Sequence, residues 1–440
     1  MTLPLDAGSV DRIAVMLVML GLALAVCLWM RARPVAALVM WCLVIGFVPV
    51  WFGATFIIYV MPASAVGILV LASLLPRMPR RMTWVDFGVI GLFAACLAPM
   101  LIGLSTLTSI FTVLTQWMVA FFVGRLLSDR VGIGRTYQGV AMVFTAVGAF
   151  AIAEFLFSWN PYVDLARPNG LFTRWAGLQE RGGVLRAEWA FGHSIALGAC
   201  LALAIPLALA APVRLSMRIT MVVTMMAGAV VSFSRIGMIS SGIGMLLSIA
   251  FLQRDLPRKV RATTAVGLVG VAAVAIPLVT RTFDAAGSEA TNSAAYRSDL
   301  VSLLSSISVV GFTDKAQRTA DGELYFGSFQ SIDSAIILLG LIYGWIALVV
   351  AAVLLGTAVV VVLRRKATPA AIAIVAQIPA LATVALITQY AMFFWFIAGV
   401  AVTHQVLRRS EDETAIDVSH IAAPRAHRLP KNVSGPDRIG

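Results

Sequence analysis

The sequence predicts an all-α fold, a polytopic bundle of about 12–14 membrane-spanning helices with two large extracytoplasmic loops, and three observations predict it. The 440 residues are 60% hydrophobic and only 12% charged, about half the charged share usual in a soluble domain. Mean hydropathy is +0.93. Apolar runs able to cross a hydrocarbon layer of about 30 Å recur from near the start almost to the end. Finally, Lys and Arg are concentrated in alternate loops.

Taken in order, the apolar windows lie at 13–30, 35–52, 55–75, 86–104, 106–126, 136–157, 192–211, 217–232, 236–252, 262–281, 336–362, 370–387 and 390–407. The first follows Asp6 and Asp11 and ends in Arg31-Ala32-Arg33-Pro34, so it reads as a retained helix and not as a cleaved signal with its basic start and small-residue site. Cys27, Cys42, Cys96 and Cys200 all fall inside apolar runs, where thiols behave as small packing residues. Neither a disulfide framework nor a metal-binding cysteine motif is readable. The bundle spans 1–409. The segment 410–440 is charged, contains proline and lacks aromatic residues, which predicts a disordered tail.

Alternate loops carry 23 of the 33 Lys and Arg, beginning with Arg31 and Arg33, then Arg77, Arg80 and Arg81, and ending with Arg408 and Arg409 and the tail. The positive-inside rule makes that set cytoplasmic, with the N-terminus outside and the C-terminus inside. The net charge of +12 is therefore mostly topology, and a nucleic-acid partner is not implied. Two connections, 158–191 and 282–335, are long and fall on the outer side. Long ordered loops in compact proteins are commonly functional. The first mixes Trp159, Tyr162, Phe172, Trp175 and Trp189 with Arg167, Arg174, Arg181 and Arg186. That composition suits sugar faces and anions, and equally an interfacial aromatic belt. In the second, Leu300, Val301, Leu303 and Leu304 recur at helical spacing, which predicts a short helix on the membrane surface.

Four outer-face features could carry chemistry. Arg186, Glu188 and His193 stand at the start of the 192–211 window, where an arginine also snorkels and a histidine also caps. Arg235 lies in the tight turn Ser232-Phe233-Ser234-Arg235-Ile236-Gly237, and ionisable groups at membrane depth are costly unless paired or facing a polar cavity. Arg297 stands in the stretch Tyr296 to Leu304 expected to form that surface helix, where binding headgroups is an equally good account. Asp333, in Ser331-Ile332-Asp333-Ser334, sits where a helix N-cap would also sit. Three arginines on one face suit a diphosphate, since guanidinium forks match phosphate oxygens and stay charged. Glu188, His193 and Asp333 are then the groups available for proton transfer.

Those residues are also where the chain resembles the O-antigen ligase and O-antigen polymerase superfamily of bacterial membrane proteins. The matching segments are Arg186-Ala187-Glu188 with Phe191-Gly192-His193 and Gly198, then Ser232 with Ser234-Arg235-Ile236-Gly237, and Ser331 to Ser334 followed by Gly340 and Gly344. The resemblance implies an inverting glycosyltransferase of the cytoplasmic membrane that needs no metal or other cofactor. Its donor and acceptor would be lipid-linked oligosaccharides, and its partners could extend to a chain-length regulator or a flippase. Arg186, Arg235 and Arg297 would hold the donor diphosphate, an electrostatic task, with Asp333 or His193 as base. The ligase branch has His followed by Asn, Ser or Gln, nine residues, Gly, two residues, then Gly, Thr or Tyr. Here Asp333-Ser334, residues 335 to 343, Gly344 and Ala347 occupy that frame, with aspartate in place of histidine, so the polymerase branch is favoured over a ligase. A flippase or transporter is the rival of another class. Transporters usually place their sites at the midplane between repeated halves, and no repeat is visible.

The alternation of basic loops makes a direct prediction. Single cysteines at Ala176 and Ser288, in a background lacking the native four, are expected to react with an impermeant thiol reagent in intact cells while one at Thr263 does not. The reverse pattern would overturn the topology.

Overall fold

The computed structural model describes residues 7–55, 58–75, 79, 81–167, 169–181, 183–253, 256–285, 300–318, 324–327, 329 and 332–422. Each apolar window of the sequence contains helix, and one contains two. In order these are α1 (Ala7–Ala32), α2 (Pro34–Phe47), α3 (Pro62–Leu74), α4 (Trp84–Leu97), α5 (Leu107–Val131), α6 (Ile133–Phe157) and α7 (Ser194–Ala210). They continue as α8 (Leu215–Val231), α9 (Arg235–Phe251), α10 (Arg258–Ala285), α11 (Ala335–Tyr343), α12 (Trp345–Leu363), α13 (Pro369–Thr383) and α14 (Thr388–Ala422). Five stretches, Trp84–Ile102, Leu107–Val131, Ile133–Phe157, Trp345–Leu363 and Thr388–Glu411, are long and apolar enough to cross a membrane. A sixth is gained if α1 and α2, bent by 118° at Pro34, count as one span. Helices α3, α7, α8, α9 and α13 are apolar but shorter, at 10–17 residues.

Local chemistry explains most boundaries. Thr83 and Asp86 form a reciprocal capping box on α4, which satisfies two otherwise orphaned N–H groups. Gly132, at φ +91°, separates α5 from α6 in a conformation that costs a Cβ-bearing residue dearly. Ser234 caps α9 by accepting from the Gly237 amide at 3.2 Å. At the other end of the bundle arginines close helix C-termini. Arg31 donates to the Leu75 carbonyl at 2.9 Å and Arg218 to the Ala211 carbonyl at 2.8 Å, as the partial negative charge of unpaired carbonyls favours.

Helix α7 is the centre, buried along nearly its whole length and packed against α6, α8, α9, α13 and α14. A helix built of Ala, Leu and Gly with no polar face has no other stable place. The contacts around it are backbone-close. A Cβ on Gly237 of α9 would fall 2.8 Å from the Gly198 Cα of α7, and one on Gly228 of α8 would fall 2.9 Å from the Gly148 Cα of α6. In the same way α5 and α14 cross with Gly124 on the Phe396 carbonyl and Gly399 on the Phe121 carbonyl. Beside that crossing, Arg125 is 1% exposed and pairs with Asp86 at 2.9 Å while donating to the Arg81 carbonyl. Removing either partner alone would strand a buried charge, at a cost of about 3–5 kcal/mol.

Several expectations need correction. The 336–362 window is two helices, because Gly344 takes φ +92° and the chain at 308–311 fills the break. Trp345 donates to the Ser308 carbonyl at 2.9 Å, and Gly311 donates to the Tyr343 carbonyl at 3.1 Å. The expected surface helix is a 3-10 turn, Val301–Ser306, and its Leu303 is buried against Ile307, Ile337 and Leu341. Helix α14 runs on to Ala422, into the stretch where disorder was expected, since extending an existing helix requires no new nucleus. The rest of the tail, 423–440, lies outside the described residues.

The 158–191 connection is ordered, with short helices Pro161–Asp164 and Gly170–Trp175 and the antiparallel strands β1 (Glu180–Arg181) and β2 (Val184–Leu185). Its aromatic residues have separate fates. Trp189 is buried and stacks on Phe150 at 4.6 Å, whereas Trp159 is exposed. Ala176 is buried against Val50 and Trp51, so the exposed Thr173 is the position to label. Ser288 lies outside the described residues.

Candidate functional site

The residues singled out in the sequence belong to segments that the tertiary structure joins. Residues 186 and 187 run between two neighbours, and their backbone closes on both. The Arg186 amide donates to the Gln179 carbonyl at 3.0 Å, and the Ala187 amide to the Val231 carbonyl at 3.1 Å. The Arg186 guanidinium, 6% exposed, repeats both links through Nε to the Ser232 carbonyl at 3.3 Å and a terminal nitrogen to Gln179 Oε1 at 3.1 Å. Below, Gly198 and Gly237 hold α7 and α9 in contact. The first two sequence motifs are thus one unit.

Both halves of that unit carry bulky residues in the left-handed region, Trp189 and Phe233, each at φ +47°. Neither has the freedom of glycine, and such conformations cost of order 1–3 kcal/mol each. Their surroundings hold them. Trp189 is clamped by Phe150 and Tyr162, and Phe233 is buried beside Phe155.

Glu154, in the last turn of α6, is a site residue that the sequence reading passes over. Its carboxylate accepts from the Glu188 amide at 3.2 Å, the Trp189 amide at 2.7 Å and the Asn160 side chain at 2.8 Å. It therefore caps the 3-10 turn Trp189–Phe191 from another helix. A signal was present, since Glu154 is the only charged residue between 136 and 157, and a buried carboxylate is costly without partners. Gln389 of α14 adds a second fastening, donating to the Ala190 carbonyl at 2.9 Å and the Val48 carbonyl at 3.0 Å.

Glu188 is 1% exposed and its Oε1 has no hydrogen-bond partner. Burial, followed by the negative charge of Glu154, pushes its carboxyl up to about 8, against the pull of Arg186 and of the Gln179 and Ser194 amides. His193 is the N-cap of α7, its Nδ1 accepting from the Ile195 amide at 3.1 Å. Burial and then the Arg186 charge bring its imidazole down to about 4. At neutral pH His193 is therefore uncharged, with its proton on Nε2, and is a donor in this arrangement. The expected base role would require the other tautomer.

The remaining candidates sit further out. Arg235 opens α9 with an exposed side chain. Asp333 is also exposed, and the cap of α11 is its neighbour Ser334, which accepts from the Ile337 amide at 3.2 Å. The cap role weighed for Asp333 thus belongs to Ser334. The start of α11 is fastened by the Ala335 amide to the Val384 carbonyl at 3.0 Å, at the end of α13, which packs on α9. Arg297 and Ser331 lie outside the described residues. Among the described residues no group of three His, Cys, Asp or Glu is placed to hold a metal ion. A cavity of about 650 Å³ lies between α4, α5, α11, α12, α13 and α14 and runs from Ala335 and Ile336 to Gln405 and Arg409 along mostly apolar walls. Compared with known proteins, the chain matches no family model, no curated protein and no solved structure.

The opposite shifts of Glu188 and His193 predict a pH window. The folded state keeps the Glu188 proton up to about 8 while the unfolded chain loses it near 4.5, so this group costs stability as pH rises between those values. His193, about 4 when folded and 6.5 when unfolded, adds stability as pH rises between its two values. The two oppose each other up to 6.5, above which Glu188 acts alone. Thermal unfolding in detergent is expected to show wild type losing stability from pH 6.5 to 8 relative to Glu188→Gln. Parallel curves would contradict the buried neutral carboxyl.

Proposed function

We propose that the protein is a polysaccharide polymerase of the bacterial cytoplasmic membrane, joining oligosaccharide repeat units carried on a lipid diphosphate by inverting glycosyl transfer. The observation that carries this reading is the union of the first two motifs. Arg186 is tied to the Ser232 turn, and Arg235 begins the helix that the turn caps. Two guanidinium groups are thereby committed to one end of the bundle, which is the arrangement a diphosphate leaving group calls for. Arg297 would complete the set.

In this reading the helices form a polytopic bundle of about 12–14 spans with the N-terminus outside, and both long connections face outward. The donor's lipid tail has a suitable host in the apolar cavity, which begins at Ala335, two positions beyond Asp333. The acceptor hydroxyl would approach from the exposed side, where Asp333 stands, and attack the anomeric carbon opposite the diphosphate. Transfer to another lipid or to protein, as in a ligase, would use the same donor geometry and differ in the acceptor alone.

Incubating purified protein with lipid-linked repeat units tests the proposal, a ladder of lengthening products being the expected result. Asp333→Asn retains size and removes the negative charge. Because Ser334 is the cap, α11 should stay intact while the ladder disappears and single units accumulate. A normal ladder from Asp333→Asn at wild-type protein level would remove Asp333 from the mechanism, and a single transfer to a foreign acceptor would mark a ligase.

Arg235→Lys separates phosphate binding from simple charge. Lysine preserves the charge but not the planar fork, so polymer should fall at least tenfold although the protein accumulates normally. Near-normal polymer would return Arg235 to a headgroup contact.

A further inference from the structure

The cavity of about 650 Å³ is long, apolar along its middle, and basic where it ends on α14. Its walls there include Leu354 and Ala358 of α12 with Trp395, Ala398 and Val402 of α14. On α14 the lining runs from Phe394 to Arg409, which is about 22 Å of helix at 1.5 Å per residue. One leaflet of a bilayer has a hydrocarbon depth of about 15 Å. An acyl chain that enters at the Arg409 end therefore has apolar wall beside it for its whole length.

The Arg409 end gathers charge from two elements. Arg409 lines the cavity and is exposed. Its neighbour Arg408 donates to the Ala367 carbonyl, which ties α14 to the turn Arg364-Arg365-Lys366, whose three side chains are all exposed. On the α4 side, Thr83 lines the same end, and Arg125 joins α4 to α14 through Asp86 and Thr403. Asp86 is thereby committed to Arg125, and Glu411 is the acidic residue that follows Arg409 on α14. Among the described residues no carboxylate pairs with Arg364, Arg365, Lys366 or Arg409. Gln405 lines this end too, and its Oε1 is buried without a hydrogen-bond partner. A buried amide oxygen left without a donor is costly, and such a group calls for an explanation.

We propose that this cavity binds an anionic phospholipid, with one acyl chain along α14, the headgroup phosphate at Arg409 beside the 364–366 turn, and a headgroup hydroxyl donating to Gln405 Oε1. A soluble anion would leave the apolar walls uncovered, and a lipid without net charge would leave the cations unanswered. A basic site between helices at the end of an apolar groove has the form that selects anionic headgroups. A free fatty acid would answer the charge, but its ionised carboxylate brings no hydrogen for Gln405. The source is therefore a phospholipid. A donor tail entering at Ala335 would lie along the same walls, so the two lipids would exclude one another. The proposal itself does not rest on the glycosyl-transfer reading.

The test strips lipid from the purified full-length protein in an uncharged detergent and returns it to mixed micelles with equal amounts of phosphatidylglycerol and phosphatidylcholine. Retained lipid is then counted by mass spectrometry. Phosphatidylglycerol is expected at about one molecule per chain and in about tenfold excess over phosphatidylcholine. Arg409→Gln should lower its retention about fivefold. Ala358→Trp leaves every cation in place but fills the cavity, so retention should fall to the phosphatidylcholine level. Arg258→Gln removes an exposed cation at the start of α10 that does not line the cavity, and should change nothing. Because Arg409 is exposed, its variant keeps the proposal testable even if Ala358→Trp does not fold. Equal retention of the two lipids, a free fatty acid retained in their place, undiminished phosphatidylglycerol in Arg409→Gln or in folded Ala358→Trp, or an equal fall in Arg258→Gln overturns the proposal. Polymer formation is not part of the readout, so the polymerase reading stands or falls separately.

Discussion

The structure depends on helices touching at glycine, backbone against backbone. In a lipid environment apolar side chains gain little by leaving the solvent, and helix association rests on close packing of small residues and on hydrogen bonds. The crossings Gly198 on Gly237 and Gly148 on Gly228 bring α7, α9, α6 and α8 together at separations that any side chain would prevent. The candidate site is a consequence of the first crossing. Once α7 and α9 are in contact through glycine, the turn that opens α9 lies beside the segment that opens α7, and the Ser232 carbonyl comes within reach of Arg186.

A second requirement is that buried backbone N–H and C=O groups find partners inside the chain. The loop that enters the bundle at 186–193 contains no long secondary structure, so where its backbone groups find no backbone partner, side chains serve them. Glu154 serves Glu188 and Trp189, and Gln389 serves the carbonyl of Ala190. These two residues come from α6 and α14, far apart in the chain, and together they hold an irregular loop among packed helices. The left-handed Trp189 is tolerated for the same reason, its ring being gripped on Phe150.

The broken helix pair α11 and α12 solves a related problem. A break at Gly344 opens backbone groups in the middle of an apolar run, and the 308–311 segment closes them again through Ser308, Val309 and Gly311. The second long connection is thereby anchored to the helix that follows Asp333. Its anchoring gives the 3-10 turn Val301–Ser306 a fixed place against α11, with Leu303 buried.

The helical class and the rough position of most apolar helices were legible in the sequence, because hydropathy over about twenty residues is a local property and each helix satisfies its own backbone. Arg186, Glu188, His193 and Arg235 could be picked out for a related reason, as charge is conspicuous in an apolar chain. What those residues do was not legible. Whether Asp333 or Ser334 caps α11 and whether His193 Nδ1 accepts are decided by side-chain placement and distances of about 3 Å, which a pattern of residue types does not fix. Glu154 shows the limit most plainly. Its sequence reports an isolated charge near the end of an apolar run, but its partners, the amides of Glu188 and Trp189, come to it only when α6 and the loop before α7 have packed. The tertiary structure alone decides this, because a hydrogen bond requires its partner to be in place and no window of sequence contains both.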